Sequence, residues 1–184
     1  MIGSIIGLLA SFFLMLDTIK IIGNPEADLA CNLSPFVSCT GAATSWQSEV
    51  FGFPNPLLGI ASFSMLFAIG VMLFSGGRSR KPLWLLVNLG VLGALVFCVW
   101  FFFESVYSIK SLCIYCMAVW AVTWPISLYT TVWNFREDHF DNLLSGQIKS
   151  IVSFASKYHF QILIVGYIIP ILLIIWQFRE YFLV

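Results

Sequence analysis

Charged residues are scarce in this chain of 184 residues, of which only 10% are Asp, Glu, Lys or Arg. Soluble globular domains usually carry about 25% charged residues and are roughly half apolar. Here 60% of the residues are apolar and the mean hydropathy is +0.94. The composition therefore predicts an integral membrane protein and excludes an ordinary soluble domain.

Basic clusters are missing as well, because nine basic residues are balanced by nine acidic ones. A nucleic-acid surface needs Lys and Arg concentrated on one face, so nucleic-acid binding is excluded. Histidine is also rare, with two residues. His139 and His159 stand far apart without further ligands beside them, and we predict that both are solvated and that no metal site exists.

Long apolar runs are what the chain has in abundance. A membrane-spanning helix takes about 20 apolar residues, and the first run lacks the basic start of a cleaved signal peptide. We predict a four-helix transmembrane domain over 1–134, a cytoplasmic linker over 135–160, and a fifth transmembrane helix with a short tail over 161–184. The five predicted spans are about 3–19, 57–74, 83–103, 113–133 and 161–178.

Basic residues in the loops predict the orientation, because Lys and Arg are enriched on the cytoplasmic side. One side would carry Arg78, Arg80, Lys81, Arg136, Lys149 and Lys157, and the other Lys20, Lys110 and Arg179. The N-terminus is then cytoplasmic, and the segments 20–56 and 104–112 are extracytoplasmic. In the linker, Ile148, Ile151, Val152 and Ala155 recur at helical spacing, which predicts an amphipathic interfacial helix.

Four of the five cysteines fall on the predicted extracytoplasmic side, where disulfides persist. Cys31 and Cys39 enclose "CNLSPFVSC", a loop or broken helix whose disulfide is feasible and, we expect, exposed enough to exchange. Cys113 and Cys116 form a Cys-x-x-Cys at the start of the fourth span, where a helix N-terminus stabilises a thiolate. Cys113 would lie near water and Cys116 one turn deeper, as a disulfide relay requires.

Other uses of these cysteines remain open from the residues alone. Two structural disulfides would brace a non-catalytic scaffold or a small transporter, and four cysteines can bind zinc. A transporter usually carries ionisable groups within its spans, whereas Asp17 and Glu104 lie near predicted outer ends. Cys98 lies mid-span among apolar neighbours, and we predict an inert buried thiol.

A dithiol relay needs an electron acceptor, and no pattern in the chain supplies haem, flavin or metal. A lipid-soluble quinone suits an apolar pocket at the outer leaflet. In "FGFPNPLLG", Asn55 either donates a hydrogen bond to a quinone carbonyl or caps the next helix, and Leu58 is a further candidate contact. Trp120 shares a helical face with Cys116, and either packs on the quinone or belongs to an interfacial tryptophan belt.

The order of these residues resembles the vitamin K epoxide reductase family, in particular its bacterial homologues, over about residues 5–133. The DsbB type of quinone reductase has the Cys-x-x-Cys before the spaced pair, which is the reverse of the order here. The matching set is Cys31, Cys39, Ser45, Phe51-Gly52, Asn55, Gly59 and Cys113-Ile-Tyr-Cys116.

The resemblance implies an all-α integral membrane protein: a four-helix bundle around a quinone pocket, a lid over 20–56, and the fifth helix outside. It further implies that Cys116 meets the quinone (menaquinone or ubiquinone) with Cys113 as its partner. Cys31 and Cys39 would be the shuttle pair that takes electrons from a thioredoxin-like or DsbA-like extracytoplasmic protein. Asn55 and Ser45 match the quinone-contacting asparagine and the loop serine of the family.

Two departures from the family pattern limit what the resemblance implies. Vertebrate members have tyrosine where this chain has Trp120, so epoxide chemistry is not assumed. Bacterial members often continue into a fused thioredoxin-like domain, whereas this sequence stops at "FREYFLV". Either the partner is a separate protein, as we expect, or the sequence is a truncated part of a longer one. The function predicted is a cell-membrane thiol:quinone oxidoreductase that supports disulfide formation in secreted proteins.

Overall fold

A computed structural model describes residues 1–24, 29, 31–32, 34, 37–77, 79–137 and 146–179, without the side chains of 146–149 and 151. Within these ranges the chain is helical. The long helices are α1 (Ile2–Gly23), α3 (Pro56–Phe74), α4 (Lys81–Phe103), α5 (Ile114–Arg136) and α7 (His159–Gln177). The shorter ones are α2 (Cys39–Ala43) and α6 (Gly146–Lys157), with a 3-10 turn at Trp46–Glu49 and a π-helical extension of α4 at Glu104–Ile109.

The predicted all-α membrane fold is confirmed, and each predicted span corresponds to one long helix. By length and composition, four of the described helices can cross a membrane: α1, α3, α4 with its extension, and α7. Helix α5 has 23 residues but is less apolar, because Trp, Tyr and Thr recur along it. Helix α5 packs against α1, α4, α6 and α7, and its polar residues Thr123, Ser127 and Asn134 are buried. That α5 spans the membrane stays a prediction.

Helix boundaries follow local sequence signals. Pro56 and Pro82 lie in the first turns of α3 and α4, where the missing proline N–H has no helical acceptor in any case. Gly76, with a φ of +79°, closes the turn after α3 in a conformation that glycine adopts without strain. After the π-helical turn, Lys110 adopts a left-handed φ of 55°. This reversal sends the chain back toward the start of α5.

Small residues bring α1 and α3 into close contact. A Cβ atom on Gly7 would lie 2.5 Å from the ring of Phe63, and one on Gly59 would clash with Ser11. Between α4 and α5 the contacts are polar instead: Asn88 donates to Thr131 (2.8 Å), and Ser127 donates to the Val91 carbonyl (2.9 Å). Close backbone approach and interhelical hydrogen bonds are the two interactions that hold helices together in lipid.

Residues 135–160 are only partly described, and His139 lies outside the described residues. The predicted linker helix is present as α6, and its position at the membrane interface stays a prediction. His159 is half-buried rather than solvated, because its Nδ1 lies 3.1 Å from the Ser156 carbonyl and its ring packs on Tyr129. Helix α7 packs outside the bundle on α5, where Tyr167 donates to the Ala121 carbonyl (2.6 Å).

We predict that Gly7→Ala destabilises the fold by about 1–3 kcal/mol, because the added methyl group overpacks the contact with Phe63. Gly93→Ala is the matched control, since a Cβ there meets no atom within 4 Å and alanine favours the helix. Thermal unfolding of both variants in detergent measures the difference. Equal melting temperatures would contradict the packing described here.

Candidate active site

The lid segment is tied to the residues that precede α5. Val37 forms a parallel bridge with Leu112, and the Ser38 N–H donates to the Leu112 carbonyl at 2.9 Å. In return, the Ser111 hydroxyl donates to the Ser38 carbonyl at 3.0 Å. The two segments therefore run side by side, and the residue after each of them is a cysteine.

Hydrogen bonds to polar side chains hold the backbone around Cys39 in place. The Asn32 amide oxygen accepts hydrogen bonds from the Ser38 hydroxyl (2.9 Å) and from the Cys39 N–H (3.1 Å). Ser38 is the N-cap of α2 and accepts from the Gly41 N–H, as serine commonly does at this position. Gly41 allows close approach, because a Cβ there would lie 3.0 Å from the Ser111 hydroxyl. Sequence reasoning missed Asn32, although Ser38 before a short helix is a recognisable capping signal.

Four sulfur atoms come together beneath the lid. Cys31 and Cys39 form a disulfide with their Cα atoms 5.8 Å apart, while Cys113 and Cys116 are free thiols. The Cys39 and Cys113 sulfurs lie 3.3 Å apart, which is within the range of a near-attack arrangement. Cys116 lies one turn further along α5 and contacts the Cys113 thiol. The structure thus joins the two predicted pairs through Cys39 and Cys113.

The expected exposure of these sulfurs is wrong. Cys31 and Cys39 are 0% exposed, Cys113 is 1% exposed and Cys116 is 8% exposed. The reason is that all four belong to one buried cluster with Ile21, Leu29, Ala42 and Phe101, which come from α1, the lid and α4. A spacing of eight residues predicted the disulfide but carried no information about what would cover it.

Cys113 lies directly before α5, and the pKa of its thiol is lowered from its usual value. The main cause is the hydrogen bond from the Cys116 thiol, and the N–H groups of Cys116 and Tyr115 at the helix start lower it further. Burial and the negative charge of Asp17 oppose them. A thiol with a lowered pKa leaves more readily from a mixed disulfide, so this position favours Cys113 as a leaving group in disulfide exchange.

A cavity of about 630 Å³ lies within the bundle, between α1, α3, α4, α5 and the lid. Cys116 forms part of its wall, so the inner cysteine pair adjoins it directly. The candidate contacts Asn55, Leu58 and Trp120 also line the cavity. The volume and the mainly apolar walls are typical of a site for a small organic molecule.

Asn55 does not use its side chain to cap α3. It occupies the N-cap position of α3, but its side chain makes no capping hydrogen bond. Its Nδ2 donates to the Gln47 carbonyl at 2.7 Å. Among buried side-chain N and O atoms in the described ranges, Oδ1 of Asn55 is the one without a partner. A buried unpartnered oxygen is costly, and in the cavity wall it offers a hydrogen-bond acceptor to a bound molecule.

The remaining candidate site residues differ in where they lie relative to the cavity. Trp120 packs edge-on against Phe102, with ring centroids 5.2 Å apart, so it is a fixed part of the wall. Ser45 does not line the cavity; its hydroxyl donates to the Ala42 carbonyl at 2.8 Å, within the lid. Ser48 lines the cavity instead, although sequence reasoning did not select it. Cys98 also lines it and contacts Thr123, which corrects the expectation of wholly apolar surroundings.

Comparison with known protein families gives a result that fits this geometry. The model described as the vitamin K epoxide reductase family matches residues 1–131. The chain belongs to this family. No curated protein matches it.

Membership of the vitamin K epoxide reductase family makes the chain a membrane thiol-disulfide oxidoreductase, and the family generally uses quinones. The matched region covers α1 to most of α5, and hence the lid, the four sulfurs and the cavity. Helices α6 and α7 lie outside it. The part of the chain that carries the family signal is therefore the part that builds the site.

We predict that Cys31→Ser traps a disulfide between Cys39 and Cys113 under mild oxidation, because these sulfurs are already within 3.3 Å. Peptide mass spectrometry after alkylation of the remaining thiols identifies the bond. The double variant Cys31→Ser/Cys113→Ser is the control and should leave Cys39 free. Persistence of a Cys113–Cys116 disulfide in Cys31→Ser, with Cys39 alkylated, would contradict the predicted contact.

Proposed function

We propose that the protein is a quinone-dependent thiol oxidoreductase that passes electrons from an extracytoplasmic dithiol protein through its two cysteine pairs. The observation that carries this proposal is the contact between Cys39 and Cys113 at 3.3 Å, with Cys116 in the cavity wall. The net result is regeneration of an oxidant for disulfide formation in secreted proteins. Structural disulfides alone would have no use for a free thiol pair placed against an existing disulfide.

The orientation proposed has the lid and both cysteine pairs on the extracytoplasmic side and the N-terminus in the cytoplasm. Arg80, Lys81 and Arg136 lie at the opposite end of the bundle from the lid, which supports it because basic loops stay cytoplasmic. The electron donor would be a separate thioredoxin-like or DsbA-like protein. Because Cys31 and Cys39 are covered, the donor reaches them only when the lid lifts.

Transfer within the protein is thiol-disulfide exchange. After the donor has reduced the outer pair, the Cys39 thiolate attacks the Cys113 sulfur of an inner disulfide, and Cys116 leaves with the electron pair. The Cys31 thiolate then attacks Cys39, the bond between Cys39 and Cys113 breaks, and Cys113 leaves as a thiolate. The outer pair is then oxidised and the inner pair reduced, which is the arrangement described above.

The cavity would hold the quinone, which accepts two electrons from the inner pair. Asn55, Leu58 and Trp120 are the residues proposed to hold it, with Cys116 beside it. The Asn55 amide nitrogen gives one of its two hydrogens to Gln47, and the second can be donated to a quinone carbonyl. The unpartnered Asn55 oxygen can in turn accept a hydrogen bond from the hydroxyl of the quinol. Ser45 is proposed to support the lid turn that leads to Ser48 and Asn55, rather than to contact the quinone.

We predict that purified protein with a dithiol reductant forms quinol from a menaquinone analogue, and that Cys116→Ala falls below about 1% of this rate because the attacking thiol is lost. Cys98→Ala is the matched control, since it removes the other cavity thiol and should retain turnover. Absorbance of the quinone follows the reaction. Turnover by Cys116→Ala at the wild-type rate would refute the relay and favour a disulfide-braced scaffold.

We predict that Asn55→Ala raises the KM for quinone about tenfold, the loss expected for one hydrogen bond of about 1.4 kcal/mol. Asn88→Ala is the control, because it removes a buried amide outside the cavity. It should lower stability without changing this KM. Equal KM values for Asn55→Ala and the wild type would remove Asn55 from the quinone site.

A further inference from the structure

Asp17 is a buried carboxylate that neither the relay nor the cavity uses. It lies in the last two turns of α1 with 5% of its surface exposed. A carboxylate at such a depth is costly unless it has a partner or a function. One oxygen, Oδ1, pairs with Lys20 at 3.0 Å. The other, Oδ2, lies 3.6 Å from the Cys31 sulfur.

The contact between Oδ2 of Asp17 and the Cys31 sulfur differs between the oxidised and the reduced protein. In the disulfide observed here the Cys31 sulfur carries no hydrogen, so 3.6 Å is a contact between two acceptors. Once Cys31 is reduced, the same place holds a thiol whose hydrogen faces a carboxylate oxygen. Because sulfur hydrogen bonds are long, this distance needs no rearrangement of α1.

Cys31 must lose its proton before it can attack Cys39, since the thiolate is the nucleophile. The Cys31 side chain is 0% exposed, so bulk water does not reach it with the lid closed. A proton acceptor must therefore come from the protein. Among the described residues, Asp17 is the carboxylate with a contact to this sulfur.

We propose that the Asp17 carboxylate is the catalytic proton acceptor for Cys31 in the transfer between the two cysteine pairs. This rests on the proposed function, in which the Cys31 sulfur attacks Cys39. The proton of the Cys31 thiol moves to Oδ2 of Asp17, and the bond between Cys31 and Cys39 forms. The bond between Cys39 and Cys113 breaks, and its electron pair leaves on the Cys113 sulfur. No further oxidant or reductant is needed in this step.

The same proton transfer helps the leaving group. The negative charge of Asp17 disfavours a thiolate at Cys113. Protonation of Asp17 removes that charge at the moment when Cys113 has to leave as a thiolate. In the reverse direction, protonated Asp17 returns the proton to Cys31 as Cys113 attacks Cys39. Lys20 pairs with the other carboxylate oxygen, has a side chain that is 63% exposed, and takes no part in this proton transfer.

The test follows the fully reduced protein as it reacts with excess menaquinone analogue in a single turnover. Samples are quenched with acid and alkylated, and mass spectrometry reports the loss of thiols from each cysteine pair. Oxidation of Cys113 and Cys116 gives the first quinol. Loss of the Cys31 and Cys39 thiols, with the second quinol, reports the transfer between pairs.

In Asp17→Asn we expect oxidation of the Cys31 and Cys39 pair to slow by about 10²-fold, the usual contribution of a general base. The first oxidation of Cys113 and Cys116 should not slow, because loss of the Asp17 charge only favours a thiolate at Cys113, and this also shows that the variant is folded. The slowed step should accelerate about tenfold per pH unit, because only spontaneously ionised Cys31 reacts. Among the described residues, the titratable groups facing Asp17 are Lys20, Cys31, Cys113 and Tyr115.

Two controls separate proton transfer from other effects of the substitution. Lys20→Met removes the ion pair and keeps the Asp17 carboxylate. Glu104→Gln neutralises a different carboxylate, which accepts a hydrogen bond from the Gln47 side chain of the lid at 2.9 Å. Both should transfer electrons between the pairs within a few-fold of the wild-type rate. Slowing by Lys20→Met as great as that by Asp17→Asn would overturn the inference in favour of a structural ion pair.

Wild-type kinetics for both pairs in Asp17→Asn would overturn the inference while leaving the proposed function intact. Failure of the wild-type protein to oxidise even Cys113 and Cys116 would instead overturn the proposed function, and the inference with it. The two failures are distinguishable because the inner pair reacts with the quinone before Asp17 is needed.

Discussion

The arrangement of the site depends on the short pairing of the lid with the residues before α5. One backbone bridge between Val37 and Leu112, and two hydrogen bonds around Ser38, hold together segments that are 74 positions apart at their cysteines. Without this pairing Cys39 would not be held against the Cys-x-x-Cys. With it, the cysteine that ends one segment meets the cysteine that ends the other.

Burial of the sulfurs has opposing consequences. It keeps water and small oxidants away from the thiols, and it holds the Cys39 and Cys113 sulfurs within reach of each other. It also deprives the reacting thiols of water as a proton acceptor and hides the outer disulfide from any protein donor. In the proposed mechanism the buried Asp17 beside Cys31 replaces water as the proton acceptor. The described part of the lid is held by few hydrogen bonds, so the lid can lift to admit the donor. Both features follow from placing exchange chemistry inside a closed site.

The helices of the bundle contribute to the cavity in different ways. Helices α1 and α3 approach closely through Gly7 and Gly59, whereas α5 is joined to α4 by buried side-chain hydrogen bonds such as that of Asn88. The least apolar of the long helices, α5, packs on the largest number of neighbours and carries Cys116 into the cavity. Asn55 at the start of α3 then adds an unpartnered polar acceptor to a mainly apolar wall.

Much of this was predictable, because hydropathy and cysteine spacing are local properties of a sequence. Apolar runs of about 20 residues indicated the long helices within a few positions, and the order of Cys31, Cys39, Cys113 and Cys116 indicated the family. The sequence left two roles open for Asn55. Its position before a helix suggests a cap, and only the contact with Gln47 in the structure shows that its amide is used elsewhere. Asn32 and Ser48 were missed because nothing in their neighbourhood distinguishes them from ordinary loop residues.

The sequence by itself determined the fold class, the two cysteine pairs and the helix on which Cys116 lies. The family resemblance already implied that Cys39 meets Cys113. Tertiary structure alone decided that all four sulfurs are covered and that Asp17 faces Cys31. Those contacts join residues from separate elements, so they depend on how the lid and helices pack. A linear pattern specifies which residues share a helix face, but not which atoms from another element will lie against it.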